Sequence, residues 1–223
     1  MEKTLAALVV HDIKNALALL EIDLEQLVHR EDAPTEGLRA YRRCVDLKGR
    51  LISFLTLYKY DQSGLEPLMQ EVVLLEFIED LVHNSQSGMA PESHHGHQIS
   101  LGIDYEKMRM DRQATGWLDE NLVELAMESA LNNAIRYAHH RVDVWFEKSP
   151  DALILNVQDD GVGVGMVGAL VQRNIPDQSS ATGLGLALCK AVAEAHGGGS
   201  VRLESVAGGG TLFSMTLRTV SGA

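Results

Sequence analysis

The feature that most restricts this chain is the apolar spacing at its N-terminus. Leu5, Val9, Ile13, Ala16, Leu20, Leu24 and Leu27 recur every three or four residues, which is the repeat of a helix burying one stripe. "REDAPTEG" interrupts the pattern, with Pro34 and Gly37 as breakers and Thr35 as the predicted N-cap. A second stripe follows through Leu38, Tyr41, Val45, Ile52, Leu55 and Tyr58. Two long amphipathic helices joined by a short turn predict an antiparallel hairpin. Such a hairpin has little core of its own, so the stripe width predicts pairing with a second copy as a four-helix bundle.

The remaining residues need a different architecture. "DQSGLEP" is the expected linker, dividing the chain into residues 1–62 and 63–223. Beyond it, "LMQEVVLLEFIEDLVHNS" reads as a helix and "HQISLGID" as a strand. "WLDENLVELAMESALNNAIRYAHH" reads as a helix capped by Asp119. "RVDVWFEK" and "ALILNVQDD" read as strands, "TGLGLALCKAVAEAHGG" as a glycine-led helix, and "GSVRLES" with "GTLFSMTLR" as closing strands. This alternation predicts an α+β fold with helices layered on a mixed sheet.

Composition narrows the function classes. With 223 residues, 45% hydrophobic and 22% charged, the chain reads as a globular protein of one or two domains. A net charge of −12 argues against nucleic acid as the main partner, because neutralising phosphates needs clustered Lys and Arg. A nucleotide is still permitted, since it needs only local positive groups. No window reaches the length of a membrane span, and "MEKTLAALVVHDIK" lacks the parts of a secretion signal. A cytoplasmic location is the expectation, and the widely spaced Cys44 and Cys189 fit a reducing compartment.

Chemistry concentrates in two glycine runs. "DDGVGVG" (Asp159 to Gly165) follows an apolar strand, and "TGLGLAL" (Thr182 to Leu188) opens a helix. Glycine lets backbone approach a ligand closely, and a helix start offers N–H groups and a positive dipole end suited to phosphate. Neither run has the GxGxxG arrangement of a dinucleotide fold or the GxxxxGK[ST] of a P-loop.

Taken together, "HDIKN", "NNAIRYA", "DDGVG", "TGLGL" and "GGGTLFSMTL" resemble, in order and approximate spacing, the H, N, G1, G2 and final glycine boxes of sensor histidine kinases. The resemblance covers nearly the whole chain. It implies a dimerisation and phosphotransfer hairpin followed by an ATP-binding domain of the GHKL (Bergerat) type, using ATP and Mg²⁺. It implies His11 as phosphoacceptor, with Asp12 orienting the imidazole and helping to take its proton. Asn133 would hold Mg²⁺ on the triphosphate. Arg136 takes the place of a phosphate-contacting lysine, and Tyr137 that of an aromatic residue lining the nucleotide. Asp159 would accept a hydrogen bond from the adenine amino group, with Gly161 and Gly163 holding that loop close. Thr182, Gly183, Leu184 and Gly185 would form the phosphate side. Asn15, three residues after Asp12, matches the position that marks phosphatase competence toward a phosphorylated response regulator.

The family logic agrees with the chemistry. Phosphoryl transfer is won by positioning and charge neutralisation. An imidazole with an ordinary pKa near 6.5 is mostly neutral, hence nucleophilic, at pH 7. At about 100° per residue His11 lies roughly 200° round the helix from Ile13, away from the stripe, and Asn15 shares its outward face.

Plainer readings stand beside these. His11 alone could be a solvated histidine and Asp12 a surface charge. Asn133 could be a solvent-facing helix residue and Arg136 a structural ion-pair partner. Asp159 could be a turn residue, and Asp160 competes with it, although Asp159 opens the D-x-G-x-G pattern. "SHHGH" (Ser93 to His97) reads as a loop, and Glu21, Asp23 and Glu25 as a solvated face.

Three departures from the family pattern bear on activity. Ser129 stands where a polar Asn or Glu is common, Ala181 replaces the first glycine of GxGLGL, and the segment Met166 to Ala181, expected to be the ATP lid, is short and lacks phenylalanine. His11 lies close to the start, so the input is expected through a separate sensor protein or a preceding part of a longer chain. The leading expectation is a homodimeric kinase core that passes phosphate from His11 to an aspartate of a response-regulator receiver domain. The alternatives are a phosphatase or phosphotransfer protein of the same architecture and a non-catalytic nucleotide-binding module. A stand-alone GHKL ATPase has no need of an exposed His–Asp pair on a hairpin.

Overall fold

A computed structural model describes residues 2–30, 34–86, 97–108, 113–163 and 183–218. The chain divides into two compact units, Met1–Tyr58 and Lys59–Ala223.

The first unit is built from α1 (Glu2–Val28) and α2 (Thr35–Ser63). They are antiparallel. Near the turn, Gly37 packs so closely that a Cβ there would lie 3.1 Å from Leu27 Cδ2. Further along, Lys48 pairs with Glu21, and the buried Cys44 thiol lies 3.7 Å from the Leu17 carbonyl. Which residues the pair buries differs from the expected stripe. Leu17 is 9% exposed, whereas Ile13 is 44% and Leu20 47% exposed, and Ala16 is exposed as well. Two helices in contact share only a narrow seam, and the rest of each broad apolar face is left uncovered. Leu47, Phe54 and Tyr58 of α2 are also about half-exposed. A groove with a volume of about 560 Å³ runs between Leu17, Leu20, Leu24, Ala40, Cys44 and Leu47, with Arg39 and Arg43 at its rim.

α2 continues through Ser63 and ends where the Gly64 N–H donates to the Tyr60 carbonyl at 2.8 Å, with Gly64 at φ 75°. The first residues of the expected linker are therefore helical. The segment expected as one helix from Leu68 begins instead as strand β1 (Gln70–Val73), and only then becomes α3 (Leu74–Gln86). The cause is a partner distant in sequence: β1 pairs antiparallel with β3 (Thr115–Leu118). Between them lie β2 (Ser100–Ile103) and the one-turn α4 (Tyr105–Met108).

α5 (Glu120–Tyr137) follows β3 and is capped by Asp119, whose carboxylate accepts from the Leu122 N–H. β4 (Arg141–Lys148), β5 (Ala152–Asp159), α6 (Leu184–Ala195), β6 (Ser200–Ser205) and β7 (Thr211–Arg218) complete the unit. The main sheet has the order β2-β4-β5-β7-β6. Only the β2–β4 pair is parallel among these neighbours. Register places Val142, Val144, Phe146, Leu155, Val157, Phe213 and Met215 on one face, where all are buried. α3, α5 and α6 contribute Phe77, Ile78, Val123, Met127, Leu188 and Val192 to the same core. The α+β expectation holds.

Candidate functional site

The ends of β5, α5 and α6 come together on the helix-covered side of the sheet. β5 delivers Asp159 as its last residue, paired in register with the inward-facing Val142. Asp159 is only 6% exposed. Its Oδ1 accepts the N–H of Gly161 at 2.8 Å and of Thr211 at 3.2 Å. Burial pushes its carboxyl above the usual range, and the Gly161 and Thr211 hydrogen bonds oppose that rise in part. A buried carboxylate held by two amides is oriented for a ligand donor.

Asp160 does a different job. Its carboxylate accepts the N–H groups of His139, His140 and Arg141 at 2.8–3.1 Å. Burial works to raise this carboxyl, but the His140, Arg141 and His139 amides hold it below the usual range. Asp160 thus ties the exit of α5 to the start of β4, which separates the two competing aspartates by their partners.

Glycines close the loop. A Cβ on Gly161 would strike the Tyr137 carbonyl at the end of α5, and one on Gly210 would strike the Asp159 carbonyl. Gly210 has φ 94°, a conformation L side chains rarely adopt. The glycines before β7 therefore form the floor beneath Asp159. Gly163 packs against them, with its Cβ position 3.1 Å from the Gly210 carbonyl.

α5 and α6 meet further back along α5. α6 opens at Gly183, which has no side chain to cap it, so its first N–H groups have no partner within the helix. A Cβ on Gly185 would meet Ser129 Oγ and lie 3.4 Å from Asn133 Nδ2. Asn133, one turn beyond Ser129, is exposed there, and Arg136 and Tyr137 occupy the last turn of α5, both half-buried. Leu184 begins α6. Asn133, Tyr137, Asp159, Gly161, Gly163, Leu184 and Gly185 thus lie on adjoining elements of one unit. Thr182, the Met166–Ala181 segment and residues 93–96 of "SHHGH" lie outside the described residues.

His11, Asp12 and Asn15 lie on α1 of the other unit, where Asp12 and Asn15 are exposed. The His11 side chain is outside the described set.

Two groups with structural consequences were not singled out from sequence. Thr211 holds Asp159, although it lies 52 residues away. His196, 1% exposed, accepts the Asp119 N–H at Nε2 across 3.0 Å and lies with Nδ1 2.7 Å from the Val192 carbonyl. Among the described residues no cluster of His, Cys, Asp or Glu is arranged to hold a metal ion.

Helices layered on a mixed sheet, with glycine loops at the ends of β5 and α6, define the fold, and comparison with known proteins identifies its class. The family model described as "Histidine kinase-, DNA gyrase B-, and HSP90-like ATPase" matches residues 118–221. The sensor histidine kinase RppB of Synechocystis is 25% identical over 221 residues, 93% of this chain and 47% of RppB. A histidine kinase of Acinetobacter baumannii, AdeS, has 17% identity, a TM-score of 0.57, and coverage of 95% of this chain and 96% of its own. Full-length ShkA, solved in complex with AMPPNP, has 17% identity, a TM-score of 0.63, and coverage of 97% and 46%. The chain spans about half the length of the relative RppB. Residues 118–221 match that ATPase family model, and the chain over nearly its whole length is similar to histidine kinase transmitter cores.

Proposed function

We propose that the chain is a two-component histidine kinase core that binds ATP with Mg²⁺, phosphorylates itself on His11 and passes the phosphoryl group to an aspartate of a response-regulator receiver domain. The observation that supports this most is that Gly185 packs beside Asn133 while the Asp159–Gly161 loop packs against the end of the same helix at Tyr137, in a chain that also carries the exposed Asp12 and Asn15 beside His11. The donor set suits a nucleotide. A fixed carboxylate recognises an amino group at one end, while an amide and uncapped helix N–H groups face the polyphosphate at the other. Asn133 would hold the cation, whose chemistry is to neutralise triphosphate charge as the transferred group separates.

In this reading the neutral His11 ring attacks the γ-phosphorus, the bond to the β-bridging oxygen breaks, and ADP leaves. Asp12 receives the ring proton and fixes the tautomer. Asp159 and the Gly161 loop hold the base, so positioning supplies most of the rate. Pairing through the uncovered hairpin groove makes the active form a homodimer. A solved relative, ShkA, holds AMPPNP, which supports the nucleotide assignment.

Incubation of the chain with γ-labelled ATP and Mg²⁺ is expected to give a base-stable, acid-labile phosphoprotein. Label that persists in His11→Ala overturns the phosphoacceptor assignment. Asn15, exposed one helical turn beyond His11, supports a second reading in which the chain mainly dephosphorylates its regulator. In that case Asn15→Ala slows loss of regulator phosphate, and an unchanged rate rejects it.

A further inference from the structure

α5 and α6 cross where Ser129 meets Gly185, and only a hydroxyl separates them. A Cβ on Gly185 would fall on Ser129 Oγ. One turn deeper, the buried Cys189 thiol donates to the Ala126 carbonyl across 3.2 Å, which locks that part of α6 to α5 through small residues. Toward its start, α6 has no side-chain cap. Ser129 therefore sits between that contact and the first turn of α6. Asn133 is the next residue on the same face of α5, with Nδ2 3.4 Å from the Gly185 Cβ position.

We propose that Ser129 is a positioning residue of the nucleotide site: its hydroxyl sets the gap between the α6 N-terminus and the Asn133 amide, and Gly185 is the residue that gap accommodates. The inference rests on the nucleotide reading above. Ser129 acts through Gly185 and Asn133 and makes no contact with phosphate itself. The gap lies at Ser129 and Asn133, whereas the Asp159–Gly161 loop packs further along α5 at Tyr137, so it governs the hold on the polyphosphate and leaves the base end alone. A change in spacing therefore weakens ATP more than adenosine.

The test uses the full chain, with affinities for Mg²⁺-ATP and for adenosine measured by calorimetric titration and folding checked by thermal melting. Gly185→Ala places a methyl on Ser129 Oγ, so the hydroxyl must turn aside or α6 must shift, and it is expected to weaken ATP binding by at least about tenfold while adenosine changes by less than about threefold. Adding Ser129→Gly makes room for that methyl and is expected to restore ATP affinity to within about threefold of the parent. Ser129→Leu crowds the crossing from the α5 side and is expected to reproduce the loss, so the proposal stays testable if Gly185→Ala does not fold. Parental ATP affinity in folded Gly185→Ala, no rescue by Ser129→Gly, or equal losses for ATP and adenosine each overturn the proposal. Absence of ATP binding to the unaltered chain overturns the nucleotide reading itself, and this inference with it.

Discussion

The backbone N–H of Asp119 donates to Nε2 of the buried His196 across 3.0 Å, joining the cap of α5 to the end of α6. The same Asp119 carboxylate caps α5 through Leu122 and holds the Leu68 N–H at 2.8 Å. One buried ring and one carboxylate thus fix both pocket helices and the segment entering the sheet.

This arrangement requires a neutral ring, because a protonated imidazole cannot accept at Nε2. Burial lowers the His196 pKa below its ordinary 6.5, opposed by the Val192 carbonyl and by Asp119. A base with a depressed folded pKa contributes stability that is present above the unfolded pKa and lost as pH falls through the folded one. The melting temperature of the sheet-bearing unit is therefore expected to be flat above pH 7 and to fall below about pH 6.5. His196→Leu leaves the Asp119 N–H unpaired and is expected to cost about 1–3 kcal/mol at pH 7.5, with a shallower decline at lower pH. Denaturant melts at several pH values check both.

Adjacent aspartates should respond oppositely. Burial raises the Asp159 carboxyl, so its contribution to stability is present below the unfolded pKa and lost as pH rises through the folded one. At pH 7 the charge is a cost. Asp159→Asn is expected to leave the melting temperature unchanged or higher while weakening ATP by roughly tenfold to a hundredfold, the loss of one hydrogen bond to a charged acceptor. Asp160 is held below the usual range by the amides of His140, Arg141 and His139, so its stabilisation is present above the unfolded pKa and lost as pH falls. Asp160→Ala is expected to cost on the order of 2 kcal/mol at pH 7. Melting curves and ATP titrations of the two variants, run side by side, separate these roles.

How far the sequence revealed this pocket depends on where each partner lies along the chain. The Asp119 cap and the bounds of β4 were legible because their signals are local: a side chain beside the helix it caps, and an alternation bounded by turns. β1 was not legible, because "EVVLLEF" is apolar at both helical and strand periods and only its pairing with the distant β3 decides between them. Leu17 was missed for a related reason: with so wide an apolar face, the buried seam is chosen by α2. The glycine runs announced close backbone approach, yet the role of Thr211 depends on β7 lying beside β5, which nothing local to Thr211 reveals.

The thiols should be silent in the folded state. Cys189 is buried against Ala126, and burial pushes its thiol up to about 12; Cys44 is buried in the hairpin and its thiol is also raised, by burial and then by Glu21. Only thiolates react readily with disulfide reagents. Titration with such a reagent at pH 8 is expected to give negligible reaction of both thiols in native protein and full reaction in denaturant. Fast native labelling at Cys189 would mean that α5 and α6 separate readily.

The uncovered hairpin face makes the final prediction. Ile13, Leu20, Leu47 and Phe54 are each 44–54% exposed, and Leu20 and Leu47 line the groove between the helices. Apolar area of this kind on two long helices is stabilised by a second copy, at about 25 cal/mol per Å² removed from water. A charge placed inside such a contact is desolvated without a partner, which costs several kcal/mol and outweighs what one leucine contributes. Leu47→Glu is therefore expected to shift the chain from dimer to monomer in light scattering across micromolar concentrations. Because Leu47 lies in a different compact unit from Asp159, the variant is expected to keep its ATP affinity within about threefold, as distant sites are usually independent. Dimers of unchanged stability in Leu47→Glu would place the subunit contact elsewhere on the hairpin.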